Sequence, residues 1–82
     1  MPSRVELMRQ ANSIESLILA HPEGLTLPDV VRLYDHTYRV AIPERTMLRR
    51  VRVLMRQGRV ECRGAARATR YRVVRTCYAM TG

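Results

Sequence analysis

The stretch that decides the fold is residues 43–64, "PERTMLRRVRVLMRQGRVECRG", in which arginines and aliphatic residues are interleaved. Its apolar residues recur at helical spacing: Met47, Leu48, Val51, Leu54 and Met55. On a helical wheel of about 100° per residue they share one face. The residues almost directly opposite are Arg45, Arg49, Arg52 and Arg56. Thr46 and Arg50 flank that row, so the pattern predicts a helix with one apolar face and one arginine face.

The ends of this segment carry the signals of a helix that gives way to a hairpin. Pro43 suits the first helical turn, and Glu44 suits the positive end of the helix dipole. Gly58 suits a left-handed C-terminal cap. Beyond it the apolar period changes from that of a helix to that of a strand, at Val60, Cys62, Tyr71 and Val73. This change predicts a β-hairpin whose strands are joined by residues 64–68.

Two capping signals lie near the start of the chain, followed by apolar residues at helical spacing. Ser3 and Glu6 have the spacing of a capping box, and so do Asn12 and Glu15. Residues 3–20 therefore form either one helix or a short leading helix followed by a second one.

Another helix start lies at Thr26, which suits an N-cap, with Pro28 in the first turn and Asp29 at the third position. The apolar residues that mark this short helix are Leu27, Val30, Val31 and Tyr34. Leu25, just before the cap, could pair as a strand of one or two residues. Three further residues alternate and could form a small strand or a loop with buried anchors: Tyr38, Val40 and Ile42.

Charge is distributed unevenly along a chain of 82 residues with a formal net charge of +8. Residues 1–38 carry three Arg against five acidic residues, whereas residues 39–82 carry twelve Arg against two Glu. The predicted hairpin adds to the basic half, and no acidic residue follows Glu61: its arginines are Arg63, Arg67, Arg70 and Arg72. Every basic residue is Arg, which fits phosphate and guanine better than Lys does, although GC-rich coding bias could also favour Arg. The basic half is the expected contact surface for a polyanion.

Several classes of protein are disfavoured by features that the sequence lacks. No segment has the roughly 20 apolar residues of a membrane-spanning helix, and the first residues do not resemble a signal peptide. Cys62 and Cys77 have no metal-ligand spacing to each other or to His21 and His36. We therefore expect a cytoplasmic protein with reduced thiols, no metal and no cofactor. We do not expect an enzyme, because no acid–base or nucleophile constellation is present.

The predicted order of elements is helix, short strand, helix, helix, strand, loop, strand, which is that of a winged helix-turn-helix domain. The segments "GLTLPDVVRLY", "RTMLRRVRVLMRQGRVE" and "ATRYRV" resemble bacterial winged helix-turn-helix transcription regulators of the DeoR and IclR kind. The resemblance covers about residues 13–75. We expect one domain over residues 1–82, mainly α with a small β-hairpin, in which 1–12 are an N-terminal extension and 76–82 a tail. The connection from Tyr34 to Pro43 is longer than in the standard motif, and we expect no effector or dimerisation domain in these residues.

The resemblance implies sequence-specific binding of double-stranded DNA. The part of the third helix that enters the major groove would present Pro43, Glu44, Arg45, Thr46, Arg49 and Arg50. The phosphates would be held by Arg52 and Arg56, and the wing would reach the backbone or the minor groove through Arg63, Arg67 and Arg70. Glu44 could accept a hydrogen bond from cytosine N4, although a partner of the helix dipole is the favoured role.

Two further expectations concern partners. The alternative to a small transcription regulator is a protein-interaction module, such as an antitoxin, a phage-encoded inhibitor or a complex subunit, that binds an acidic protein surface. We also expect a homodimer formed by residues 3–12, with the tail residues 77–80 as a second contribution. In residues 3–12 the apolar face would be formed by Leu7, Met8 and Ala11. Both segments could instead fold back on their own domain.

Overall fold

The computed structural model describes residues 3–65 and 68–74. Three helices come first, α1 (Arg4–Leu19), α2 (Leu27–Tyr38) and α3 (Glu44–Arg56). An antiparallel hairpin of β1 (Val60–Arg63) and β2 (Arg70–Val73) follows. The described part of the chain is therefore mainly helical with a small two-stranded sheet, as the sequence predicts.

α1 is one continuous helix, which decides between the two alternatives for residues 3–20. Ser3 is its N-cap, and the Ser3 hydroxyl accepts a hydrogen bond from the backbone N–H of Glu6 at 3.2 Å. The second capping signal, at Asn12, does not start a helix. The Asn12 side chain instead accepts a hydrogen bond from Arg59, far along the chain.

α2 begins as predicted and ends later than predicted. Thr26 and Asp29 form both bonds of a capping box, each 3.4 Å long. The hydrogen bond from Thr26 lowers the pKa of Asp29, despite the opposing effect of desolvation. The helix continues through Tyr38, whose ring centroid is 4.8 Å from that of Tyr34 one turn earlier.

Of the two alternatives for Tyr38 to Ile42, the structure shows a loop with a buried anchor and not a small strand, and Tyr38 itself belongs to α2. Arg39 closes α2 in the left-handed conformation, with φ of 59°, and only five residues, 39–43, separate α2 from α3. Ile42 is buried and anchors this connection, whereas Val40 is exposed. Half of the long connection expected between Tyr34 and Pro43 is thus helix. The β-forming residues Thr37 and Tyr38 occupy the last turn of α2, so the sequence does not mark that turn as helical.

α3 ends where the sequence predicts, but it begins one residue later, because Pro43 is not part of the first turn. Pro43 is its N-cap and makes no side-chain capping bond, and Glu44 is its first residue. Gly58 has φ of 75°, and its N–H donates to the carbonyl of Met55 at 3.0 Å. The next N–H, of Arg59, donates to the carbonyl of Leu54 at 2.9 Å. This pair of bonds is a Schellman motif, which turns the chain out of the helix and into β1.

A single β-bridge joins the hairpin to the loop between α1 and α2. Leu25 pairs with Tyr71 through two backbone hydrogen bonds of 2.9 and 2.7 Å. β2 therefore lies between Leu25 and β1, and the predicted short strand at Leu25 is a single bridge. Within the hairpin, Cys62 lies opposite Tyr71 and Arg63 lies opposite Arg70.

All the helices, the hairpin and both loops around α2 contribute to one core. Its buried residues are Ile14, Ile18, Leu25, Val30, Tyr34, Ile42, Met47, Val51, Leu54, Val60 and Tyr71. α3 contributes its predicted apolar face, with three residues buried and Leu48 and Met55 partly buried against them.

We expect Val51→Asp to unfold the domain, because Val51 is 0% exposed and a buried unpaired carboxylate costs several kcal/mol. A loss of that size is most of the stability of so small a domain. The matched control is Val53→Asp, two residues away on the same helix and 37% exposed, which should change the free energy of unfolding by less than about 0.5 kcal/mol. Urea unfolding followed by circular dichroism measures both. A cooperative native-like transition for Val51→Asp would show that α3 is buried through another face.

Candidate nucleic-acid interface

The four arginines opposite the apolar face of α3 form one exposed surface. We call this surface the arginine face, and it consists of Arg45, Arg49, Arg52 and Arg56. None of the four makes a salt bridge to another described residue. The segments outside the described ranges contain no Asp or Glu in their sequence. Because the opposite side of α3 is fixed in the core, the arginine face is directed outward.

This arrangement stores electrostatic repulsion along one helix. Arg45 and Arg49 are four residues apart, as are Arg52 and Arg56, and Arg49 and Arg52 are three apart. Each like-charged pair at these spacings destabilises a helix by a few tenths of a kcal/mol. The repulsion is relieved when negative charges approach the face from solvent.

The hairpin lies next to the arginine face. Burial raises the pKa of Tyr71, on β2, with Cys62 adding to the shift and the positive charge of Arg52 opposing it. The hairpin also packs against α3 through β1. Arg63, at the end of β1, is exposed and forms no salt bridge with another described residue.

Two of the predicted contact residues on α3 occupy its flank instead of its outer face. Thr46 and Arg50 are both half-buried. The Arg50 Nε donates to the Gln10 side-chain oxygen on α1 at 3.2 Å. Arg50 is therefore held at the edge of α3 that adjoins α1, although its two terminal nitrogens make no hydrogen bond to any other described residue. Glu44 is exposed in the first turn of the helix, where it complements the helix dipole.

The hairpin arginines divide into three kinds. Arg72 donates to Glu61 on the paired strand at 2.9 Å, so the hairpin is less basic than the sequence suggests. Arg70 donates to the carbonyl of Gly24 at 3.2 Å, which ties this predicted wing residue to the α1–α2 loop. Arg67 lies outside the described residues. Arg63 is thus the predicted wing contact that the described structure leaves available.

Arg59 has a structural role that the sequence pattern does not indicate. Its Nε donates to Glu15 on α1 at 3.2 Å, and its terminal nitrogens donate to Asn12 at 2.8 Å and to Gln57 at 3.1 Å. The ion pair with Glu15 is about two-thirds buried at both ends. It links α1 to the turn between α3 and β1. No local signal could have identified it, because the partners are more than forty residues apart in sequence.

The tyrosines do not form an exposed stacking surface for single strands. Tyr34 and Tyr71 are buried in the core, and desolvation raises the pKa of Tyr34. Tyr38 is partly exposed beside Tyr34, and Tyr78 lies outside the described residues.

Two other features, a metal-binding cluster and a membrane-spanning helix, are absent from the residues that the structure describes. No group of three or more His, Cys, Asp or Glu side chains is placed to hold a metal ion there. Within the same ranges, none of the helices combines the length and the apolar character needed to cross a bilayer.

Comparison with known proteins gives this chain no relative. No protein-family model matches the sequence, no curated protein matches it, and no solved structure matches it. The resemblance to DeoR-like and IclR-like regulators therefore rests on the residues that carry it, and the function has to be argued from the geometry.

The two kinds of arginine should separate in a stability measurement. We expect Arg59→Ala to lower the free energy of unfolding by about 1–3 kcal/mol, because it leaves Glu15 largely buried without its partner. Arg56→Ala, the matched control three residues away, should change it by less than about 0.5 kcal/mol. Urea titrations of both variants at neutral pH provide the test. Equal losses would mean that Arg56 also has a structural partner.

Proposed function

We propose that this chain is a small winged helix-turn-helix protein that binds double-stranded DNA and regulates transcription. The observation that carries the proposal is the arginine face, an exposed and unpaired row of four guanidinium groups on a helix whose other side is fixed in the core. The phosphates of a DNA duplex would lie alongside these arginines, and their negative charge would relieve the repulsion within the row.

The arrangement of elements supports the winged-helix part of the proposal. α2 and α3 are joined by only five residues, which suits a helix-turn-helix pair. A hairpin follows α3 directly, and its second strand pairs with the bridge residue Leu25 between α1 and α2. In this proposal α3 is the recognition helix and the hairpin is the wing.

The positions along α3 suggest a division of labour. Arg45 and Arg49 lie towards the N-terminal end of the helix, the part that enters the major groove in helix-turn-helix proteins, where Arg reads guanine through O6 and N7. Arg52 and Arg56 lie further along and would hold phosphates, together with Arg63 on the hairpin. Thr46 would contact a base from its half-buried position. Arg50 and Arg70, which each use one nitrogen within the fold, would contribute through their remaining nitrogens.

One observation favours the alternative of an acidic protein partner. Val53 is an exposed apolar residue beside the arginine face, and an apolar contact next to arginines is common at protein interfaces. The same valine could contact a thymine methyl group. The alternative therefore remains the second candidate, and the salt dependence and sequence dependence of binding separate the two.

We expect the affinity for a mixed-sequence duplex to fall steeply with salt. Four phosphate contacts, by Arg52, Arg56, Arg63 and Arg67, give a log–log slope of magnitude about 3–4 per chain. Fluorescence anisotropy with a labelled duplex between low and physiological salt measures the slope. Arg52→Ala should reduce the magnitude by about 1. The control Arg32→Ala removes an arginine of α2 that is paired with Asp29, and it should leave the slope unchanged.

A salt-independent affinity, or no duplex binding at low salt, would contradict the proposed function. Binding to an acidic protein with no binding to duplexes would support the alternative.

The proposed base contacts should behave differently from the phosphate contacts. On a site selected from a random duplex pool, Arg49→Ala should weaken binding by about 1–3 kcal/mol and relax the preference at one or two base pairs. Arg56→Ala should weaken selected and random duplexes by the same factor. Parallel titrations of both variants on both duplexes give the comparison. If Arg49→Ala also weakens the two duplexes equally, Arg49 does not read bases.

A further inference from the structure

The outer surface of α1 carries an apolar stripe that none of the other described residues covers. Val5 is 61% exposed, Met8 is 64% exposed and Leu19 is 48% exposed. On a helical wheel these three residues fall within an arc of about 60°. The positions between them on the same line are the small polar residues Asn12 and Ser16. We call these five residues the α1 stripe.

A groove adjoins the C-terminal end of the α1 stripe. It has a volume of about 410 Å³ and lies between α1 and the hairpin. Leu19 belongs to both the stripe and the groove, and the ion pair between Glu61 and Arg72 lies at the groove. The other residues that line it are Ile18, Pro22, Val73 and Val74. An apolar side chain that reached Leu19 from outside would therefore also reach a cleft lined by apolar side chains on one side and by this ion pair on the other.

We propose that the α1 stripe binds the α1 stripe of a second copy of this chain in an antiparallel, two-fold symmetric pair centred on Asn12. The stripe has the symmetry that such a pair requires. Val5 lies seven residues before Asn12 and Leu19 lies seven residues after it. Met8 and Ser16 lie four residues before and after it. In this register the Val5 side chain of one copy meets Leu19 and the groove of the other.

The size of the side chains in the stripe fits the same register. A long Met8 side chain of one copy lies level with the small Ser16 of the other, so that the larger residue has space to pack. The four larger contacts, two of Met8 and two between Val5 and Leu19, then alternate with small polar residues. A parallel pair would instead put Met8 opposite Met8 and would leave both grooves empty.

Charge also selects α1 for the contact between copies. Two chains with a net charge of +8 repel each other most strongly where their arginines meet. α1 carries two Arg and two acidic residues, so it is formally neutral. Arg59, which donates to Asn12 at the centre of the α1 stripe, is paired with Glu15, so its charge is offset there. The buried residues Ile14 and Ile18 point away from the stripe and into the core that α3 shares. Pairing through α1 therefore leaves the arginine faces of both copies free.

The dimer interface proposed from the structure differs from the one that the sequence predicts. The sequence places it at residues 3–12, with help from tail residues that lie outside the described ranges. Leu7 and Ala11, which the sequence assigns to that interface, are partly buried, and Ala11 packs against the core. The interface proposed from the structure uses the whole length of α1 and does not depend on DNA binding.

The first test is the oligomeric state of the full chain without DNA, measured by sedimentation equilibrium at tens of micromolar. We expect a dimer, and we expect Met8→Glu and Leu19→Glu each to raise the dimer dissociation constant at least tenfold. Val40→Glu is the matched control, since Val40 is 44% exposed on the connection between α2 and α3. It should leave the dissociation constant unchanged. Circular dichroism confirms that each variant is folded.

The second test fixes the register by disulfide cross-linking in a background with Cys62→Ser and Cys77→Ser. A mixture of Val5→Cys chains and Leu19→Cys chains should form a mixed disulfide under mild oxidation. Val5→Cys chains alone should not cross-link, because residues 5 and 19 are about 21 Å apart along a helix, and a disulfide needs Cα atoms within about 7 Å.

Cross-linking of Val5→Cys with itself would overturn the antiparallel register. A monomeric full chain would overturn the proposal as a whole, including the case in which residues 75–82 of the same chain occupy the groove. Because neither test contains DNA, failure of the dimer and failure of the proposed DNA binding are observed separately.

Discussion

The burial of one side of α3 is the constraint on which the rest of the structure depends. Met47, Val51 and Leu54 are each 0% exposed, and they contact a core built from α1, α2 and the hairpin. Because a helix is rigid and its faces are fixed relative to each other, burial of these three residues determines the direction of every arginine on the helix. A core of aliphatic side chains and two tyrosines thus orients the charged surface.

The ion pair between Arg59 and Glu15 is a second interaction, polar in character, that holds the helices and the hairpin together. It joins α1 to the Schellman turn at the end of α3, and so it holds the start of the hairpin against the helices. The bridge between Leu25 and Tyr71 holds the other strand in the same way. The hairpin is therefore attached along both strands, and Arg63 has a fixed base from which to reach a ligand beside the arginine face.

Most of the fold was predictable because its signals are local. The capping box at Thr26, the cap at Gly58 and the two faces of α3 depend on residues within one or two turns of each other, and each is confirmed. The end of α2 was not predictable, because β-forming residues occupy its last turn, where the Tyr38 ring packs at a tilt against that of Tyr34. The partners of Arg50, Arg59 and Arg72 were hidden for another reason. They are set by packing between distant segments, which a pattern along the chain does not record. The sequence thus identified the basic helix, whereas the structure separated its free arginines from those that hold the fold together.

The arginine face has a consequence for how this surface could be controlled. The chain contains no lysine, and a guanidinium keeps its proton at any pH at which the protein is folded. The charge of the surface is therefore permanent: neither a change of pH nor acetylation of side-chain amines can remove it. Control of such a surface has to act through what covers it, such as counterions, a competing polyanion or a change in the number of chains that present it together.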